Sequence, residues 1–237
     1  MEFVIYYFFV IRHSGFVIFI CYIKAVAYRE KYLHRAIIAG KVLRFVPFLR
    51  MAGLNGSLVR GEDTEKSDID FLIIARSGRL YTARFFTVLF LHLTGWRRHG
   101  KYIAGRICPN CFLSDKNPDI TPANPESRKK VAEANKYMIP LVEKPGMAEK
   151  FFETNQWFNR YQVSGFEYQA KLRKRLIPKG PTQPEYFLEF ILGGRFGRWL
   201  ERKLMNWQVK RILAGKKQGD EIVATREEIR LHPRKFN

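Results

Sequence analysis

Apolar and polar positions along the first half of the chain alternate between helical and extended spacing. Apolar residues recur every three to four positions over residues 29–49, which predicts a helix. A branched apolar run at residues 71–75 predicts a buried strand, and residues 48–54 and 106–114 are predicted as two further strands. The apolar segment at residues 80–93 predicts a buried helix, because it is shorter than the roughly 20 residues that span a membrane. The pattern therefore predicts a compact core of helices and strands.

The second half of the chain has mainly helical spacing. Helices are predicted at residues 129–141, 148–161, 185–192 and 196–213. Residues 163–184 are basic and interrupted by Pro and Gly, which predicts a loop. The expected fold class is α/β (α+β), with a small mixed-sheet core over residues 28–120 and a mainly helical region over residues 121–237.

Residues 1–27 form an apolar N-terminal segment that admits three interpretations. Its two apolar stretches, residues 3–11 and 15–23, are interrupted by Arg12 and His13. Each stretch is too short to span a membrane, and an arginine near the midpoint of a spanning helix costs about 2.5–3.5 kcal/mol on insertion scales. We expect either an element packed on the core or a start codon assigned too far upstream, and less strongly an interfacial membrane anchor. The charge pattern does not fit a secretory signal.

Composition adds a strong positive charge and few cysteines. The chain has 42 Lys and Arg against 22 Asp and Glu, a formal net charge of +20, which predicts attraction to RNA, nucleotides and other anions. Only Cys21, Cys108 and Cys111 are present, so a cytoplasmic location is the simplest expectation. Cys108 and Cys111 form a Cys-x-x-Cys without a second ligand pair at suitable spacing, and we expect them to be buried structural thiols.

The segment from Gly56 to Asp70 has the clearest chemical pattern. It begins with Gly56-Ser57 and ends with Asp68-Ile69-Asp70 at the start of an apolar strand. Strand residues i and i+2 project from one face roughly 6.6 Å apart, so Asp68 and Asp70 can converge on a divalent cation. A glycine lets the backbone approach a ligand, and a serine at a turn into a helix can hold phosphate oxygens. The pattern predicts a cradle for a metal ion and a triphosphate.

Together with Leu54, these residues resemble the nucleotidyltransferase superfamily, whose members share the DNA polymerase beta-like fold. The resemblance is strongest over residues 29–74, and residues 67–73 are similar to the small prokaryotic members. It implies transfer of a nucleoside monophosphate from a nucleoside triphosphate to a hydroxyl, with Mg²⁺ or Mn²⁺ held by Asp68 and Asp70. The implied phosphate-binding residues are Gly56, Ser57 and Ser67, with Arg60 and Lys66 as weaker candidates.

The superfamily usually has a third carboxylate on a later strand, and here its position is open. The strand at residues 106–114 contains no acid, and strict alternation puts Cys108, Asn110, Phe112 and Ser114 on one face. Asn110 or Asp115 is the candidate for the third position. An amide can orient a ligand, but it neither neutralises a second metal nor serves as a base.

A strand without a third carboxylate is compatible with two functions. The first is a metal-dependent nucleotidyltransferase whose acceptor is RNA, a protein side chain or a small molecule. The second is a catalytically silent protein of the same fold that binds nucleotide or RNA. The sequence indicates neither the acceptor nor the oligomeric state.

Overall fold

The computed structural model describes residues 14–176, 187–216 and 221–232. The strands are β1 (Leu49–Asn55), β2 (Ile69–Ala75), β3 (Ile107–Ser114), β4 (Ile139–Glu143), β5 (Glu221–Ala224) and β6 (Glu228–His232). The helices are α1 (Ser14–Leu43), α2 (Ser57–Arg60), α3 (Leu80–Leu93), α4 (Arg128–Asn135), α5 (Met147–Thr154), α6 (Phe166–Leu176), α7 (Phe187–Gly193) and α8 (Arg195–Ala214). The strands form one mixed sheet in the order β4-β1-β2-β3-β6-β5, which confirms the α/β prediction.

The central strands bring three polar residues side by side. β2 pairs antiparallel with β1 and parallel with β3, and α3 makes the crossover that a parallel pair requires. In this register Asn55 lies opposite Asp70, and Asp70 lies opposite Cys108. The end of β1 and the starts of β2 and β3 therefore share one edge of the sheet.

Each face of the sheet is covered by its own apolar core. On one face, Phe71 and Ile73 of β2 belong to a cluster that includes buried residues of α1, α3 and α6. On the other face, Leu72 and Ile74 pack in a cluster with residues of α4 and α5. Because both faces of β2 are buried, the strand is a nearly continuous apolar run after Asp70, as expected for a central strand with parallel pairing.

Several predicted elements are confirmed, and others differ from the structure. Helix α3 has the predicted bounds, and the three predicted strands are present as β1, β2 and β3. The predicted loop at residues 163–184 instead contains α6, whose Leu172 and Leu176 are buried between basic, exposed positions. Residues 177–184 of that prediction lie outside the described residues.

The predicted helix at residues 129–141 is also wrong over its second half. Helix α4 ends at Asn135, and the apolar residues that follow form β4, which pairs antiparallel with β1. Strands β5 and β6 were not predicted. These short strands depend on pairing with β3 and with each other, which local periodicity does not reveal.

The N-terminal segment is only partly within the described residues. Residues 1–13 lie outside them, and residues from Ser14 onward belong to α1, which starts well before the predicted helix. Of the helices that the structure describes, none combines the length and apolarity needed to cross a membrane.

A buried glutamate joins α8 to the start of α3. Glu201 accepts hydrogen bonds from the backbone N–H groups of Tyr81 (2.9 Å) and Thr82 (2.8 Å) and from the Thr82 hydroxyl (2.6 Å). The N-cap residue of α3, Arg79, provides no side-chain cap. Glu201 therefore satisfies free N–H groups at the start of α3 and places a negative charge where the helix dipole favours one.

We predict that Glu201→Ala lowers the free energy of unfolding by at least about 2 kcal/mol, because three buried donors lose their acceptor. The melting temperature should fall by roughly 4–8 °C. The matched control is Glu153→Ala, since Glu153 is an exposed helical glutamate; its effect should stay within about 0.5 kcal/mol. Urea unfolding of both variants measures the difference, and equal effects would contradict this role for Glu201.

Candidate functional site

Two aspartates and a cysteine form a compact group at the shared edge of the sheet. Asp68, Asp70 and Cys108 each offer a ligand atom, and these atoms all lie within 4.8 Å of one another. All three residues are half-buried. Within the described residues, no other group of three or more His, Cys, Asp and Glu side chains is close enough to hold a metal ion together.

Asn110 contacts this group and lies at a bulge in β3. The pairing of β2 with β3 passes from Phe71–Pro109 to Leu72–Cys111 and skips Asn110. Its Nδ2 donates a hydrogen bond of 2.7 Å to Asp70 Oδ1. The structure thus brings Asn110, one of the two third-position candidates, to Asp70 as a hydrogen-bond partner.

The bulge also overturns the expected alternation in β3. Phe112 packs in the cluster with Ile107, whereas Cys111 and Leu113 pack on the opposite face. A bulge adds one residue to a strand and so exchanges the two faces beyond it. Phe112 therefore does not share the face of Cys108.

The close carboxylates change the acidity of Asp70. Burial, and then the negative charge of Asp68, raise the pKa of Asp70 from 3.8 to about 7, although Arg98 and Arg60 act in the opposite direction. The ionised pair is therefore unfavourable in the protein alone. A divalent cation would stabilise both carboxylates in their ionised form.

Arg98 is a site residue that sequence analysis missed. Its Nη1 lies 2.5 Å from Asp68 Oδ2 and 3.7 Å from Cys108 Sγ, and its side chain is 40% exposed. Arg98 precedes β3, and its backbone N–H donates to Ile107 O. The only indication in the sequence was the basic run at residues 97–99, one of several such runs in a basic chain.

Cys108, which is only half-buried, departs from the expectation that both thiols are buried and structural. Cys111 is buried in the core as expected, but Cys108 lies beside the two aspartates. Burial, with added repulsion from Asp70 and Asp68, raises the pKa of Cys108 to about 12. In the metal-free protein the thiol is therefore neutral at physiological pH and adds no negative charge to the group.

Gly56 lies directly against Asp70. Its φ is +77°, and a Cβ built at this position would lie 2.6 Å from Asp70 Oδ2. The next residue, Ser57, begins α2 and is half-buried, and its hydroxyl makes no hydrogen bond with the described residues. A glycine is thus required both by the backbone conformation and by the carboxylate next to it.

The remaining phosphate-binding candidates lie in or beside the loop between α2 and β2. Arg60 is committed to other partners, because its Nη2 lies 2.7 Å from Glu62 Oε2 and its Nη1 donates to the Glu133 carbonyl at 2.5 Å. The Ser67 hydroxyl accepts a hydrogen bond from the Thr64 N–H at 2.9 Å and so shapes the turn before Asp68. Lys66 is exposed, and no ion pair with a described residue holds its amine.

Helix α1 fixes the same loop from the other side. Arg29 forms an ion pair of 2.8 Å with Asp63, whose side chain is fully buried. The hydroxyl of Tyr28 donates to the Asp63 carbonyl, and that of Tyr32 donates to the Glu65 carbonyl. These contacts hold the segment that joins Gly56-Ser57 to the aspartates. Sequence analysis did not identify them, because their partners lie more than 30 residues apart.

Asp115, the other third-position candidate, lies at the opposite end of β3. Its carboxylate accepts a hydrogen bond from the Ser77 N–H at 2.8 Å and lies 3.5 Å from Arg50 Nε. The structure does not bring Asp115 to Asp68 and Asp70. Within the described residues, the group contains two carboxylates and one neutral thiol.

The residues present fit one divalent cation. Two buried amide oxygens beside Asp70, Asn55 Oδ1 and Asn110 Oδ1, have no hydrogen-bond partner among the described residues. Buried polar atoms without a partner are uncommon and favour an additional ligand such as a cation or its water. Carboxylate and carbonyl oxygens are the ligands that Mg²⁺ and Mn²⁺ prefer.

Comparison with known proteins agrees with this geometry. The family model described as "Nucleotidyltransferase domain" matches residues 37–143, which include Gly56, Ser57, Asp68, Asp70 and Asn110. The comparisons with curated proteins and with solved structures gave no match. The Gly-Ser pair and the paired aspartates lie within this match, so residues 37–143 of the chain are similar to the nucleotidyltransferase domain.

Proposed function

We propose that this protein transfers a nucleoside monophosphate from a nucleoside triphosphate to a hydroxyl acceptor and releases pyrophosphate, with a divalent cation held by Asp68 and Asp70. The observation that carries the proposal is the position of Gly56 against Asp70, beside a Ser57 hydroxyl that makes no hydrogen bond with the described residues. A phosphate-holding turn and a cation-holding carboxylate pair are thereby adjacent. Both are needed to bind a metal-bound triphosphate.

In this proposal the residues of the site act mainly by positioning and by charge. Ser57 and the backbone at Gly56 hold phosphate oxygens, and Asn110 fixes the orientation of Asp70 through its hydrogen bond of 2.7 Å. The cation supplies neutralisation of the negative charge that builds up on the transferred phosphate. Arg98, half-exposed beside Asp68, is near enough to contact a phosphate group after small side-chain motion.

The acceptor oxygen attacks the α-phosphorus, and the bond from that phosphorus to the bridging oxygen of the pyrophosphate breaks. The hydroxyl proton leaves to solvent in our proposal, because the described group contains no third carboxylate to accept it. This feature also favours a second candidate function, nucleotide or RNA binding without catalysis. Asn110 in place of an acid is the observation that supports it.

Transfer is tested with labelled triphosphates, Mg²⁺ or Mn²⁺, and total cellular RNA and protein as acceptors. We expect Asp68→Ala and Asp70→Ala each to lose at least about 100-fold in rate, because the cation site is destroyed. Asp115→Asn is the matched control and should keep the wild-type rate, since Asp115 contacts Ser77 and Arg50 instead. Rates for the two alanine variants within about tenfold of wild type would remove both carboxylates from the mechanism. Nucleotide binding without any transfer by wild type would favour the silent function.

Gly56→Ala tests the contact between the turn and Asp70. The new Cβ would press on Asp70 Oδ2, so we expect loss of transfer and of triphosphate binding in addition to backbone strain of about 1 kcal/mol. The control is Gly146→Ala: Gly146 has a similar φ of +80° with nothing within 4 Å of its added Cβ. Both variants should lose stability in thermal unfolding through backbone strain, Gly56→Ala the more because of its added contact with Asp70, and only Gly56→Ala should lose nucleotide binding. Unchanged binding in Gly56→Ala would contradict the proposed turn.

The raised pKa of Asp70 predicts how the stability of the metal-free protein depends on pH. Between pH 3.8 and about pH 7 the folded protein binds more protons at Asp70 than the unfolded chain does, so this residue makes stability fall as pH rises through that window. Asp70→Asn removes this loss. In EDTA at about pH 8, the variant should melt at least about 2 °C above wild type, with a smaller difference near pH 4.

Mg²⁺ completes the test, because it should raise the melting temperature of wild type at about pH 8 and leave Asp70→Asn unchanged. A variant that melts below wild type in EDTA, or that gains as much from Mg²⁺, would contradict this account of the carboxylate pair.

A further inference from the structure

A strongly basic cleft lies at the far end of the sheet from Asp70. It has a volume of about 760 Å³ and is lined by residues at the end of β2, the start of α3 and the first half of α8. Six arginines line it: Arg76, Arg79, Arg195, Arg198, Arg202 and Arg226. Arg76 is six residues beyond Asp70, a distance of about 20 Å along the strand direction. The cleft is therefore separate from the carboxylate site.

The six arginines of the cleft outnumber its two acids. Glu201 uses both oxygens to accept hydrogen bonds from the start of α3, and Glu227 accepts a hydrogen bond from the Ser77 hydroxyl. Among the residues that the structure describes, none of the six arginines forms an ion pair. All of them except Arg79 are exposed, so the cleft presents a surplus of positive charge to solvent.

Arg79 lies at the buried side of the cleft. It is only 8% exposed, and its Nε is buried without a hydrogen-bond partner among the described residues. Its guanidinium is held in place by the Gly78 and Gly193 carbonyls and lies 5.3 Å from the ring centre of Phe48. A cation that is already desolvated and fixed binds an anion at a lower cost than a mobile surface side chain.

A second stripe along α8 carries exposed aromatic rings beside the arginines. Phe196 and Trp199 are 57% and 48% exposed, and their rings are stacked 5.8 Å apart. Further along the helix, Trp207 is 51% exposed, with Arg211 over its ring. Because residues three and four positions apart share a helix face, Arg195, Arg198 and Arg202 form one stripe and the aromatic residues form the next.

We propose that this arginine-lined cleft and the aromatic stripe of α8 bind a single-stranded nucleic acid, with phosphates at the arginines and bases stacked on the exposed rings. Grooves that bind single strands combine these two features, positive charge along the backbone and aromatic surfaces for bases. A small phosphate compound would use the arginines alone. A duplex keeps its bases stacked and would leave Trp199 and Phe196 without a partner.

The experiment measures fluorescence anisotropy of a labelled oligouridylate RNA of about 12 nucleotides, with full-length protein, as salt is varied over about 0.05–0.2 M. The test variant is Arg195→Gln with Arg198→Gln and Arg202→Gln. The matched control is Lys171→Gln with Arg173→Gln and Lys174→Gln, three exposed basic residues on α6. Both variants remove the same charge.

We expect the α8 triple variant to bind at least about tenfold more weakly at about 0.15 M salt and to reduce the slope of log affinity against log salt by about 2. Trp199→Ala should weaken binding about tenfold with little change in the salt slope, because a stacking contact is lost without a charge. An oligodeoxythymidylate of the same length decides whether RNA or DNA is preferred. Thermal unfolding checks that each variant is folded.

Three results would overturn the proposal. Equal losses in the α8 and α6 variants would assign binding to the overall charge of +20. Equal RNA affinity of wild type and Trp199→Ala would exclude base stacking on the ring of Trp199. Loss of binding to phosphatidylglycerol vesicles by the α8 variant, with unchanged RNA affinity, would identify the cleft as a membrane contact. Asp68→Asn with Asp70→Asn should bind RNA as wild type does, so this result is independent of the proposed transfer activity.

Discussion

Burial of one carboxylate beside another is the constraint around which the site is built. The ligand atoms of Asp68 and Asp70 lie within 4.8 Å of each other at one edge of the sheet, and burial of Asp70, reinforced by the negative charge of Asp68, raises the pKa of Asp70 to about 7. The surrounding protein compensates only in part. Arg98 pairs with Asp68, and Asn110 donates one hydrogen bond to Asp70. Such an arrangement costs stability in the metal-free protein, and the cation that we propose would offset this cost.

Strand β3 and helix α1 keep this pair in place. The parallel pairing of β2 with β3 sets Asp70 beside Cys108, and Asn110, at the bulge in β3, donates a hydrogen bond to Asp70. Helix α1 holds the loop before Asp68 through the ion pair of Arg29 with the buried Asp63. The start of β2 is thus anchored by contacts that are distant in sequence. This rigidity is what transfer chemistry requires, since most of its rate comes from positioning and fixed charge.

How much was predictable from the sequence depends on whether the deciding interaction is local. Hydrophobic periodicity predicted helix α3 and strands β1 to β3. A compact pattern of residues identified the Gly56-Ser57 and Asp68-Asp70 pairs. Helix α6 was missed because its two buried leucines lie among basic residues. Strand β4 was mistaken for a continuation of the preceding helix. The contacts of Arg98 and the bulge at Asn110 depend on strand register. No pattern within a short window of sequence determines that register.

The most direct test of the account is a titration of Mn²⁺ into the protein, followed by electron paramagnetic resonance, with and without a non-hydrolysable nucleoside triphosphate analogue. The account predicts one Mn²⁺ per chain in the wild type, bound more tightly when the analogue is present, and loss of this binding in Asp68→Asn with Asp70→Asn. Mn²⁺ binding that is absent from the wild type, or that survives in the double variant, would contradict the assignment of these two carboxylates to a metal and triphosphate site.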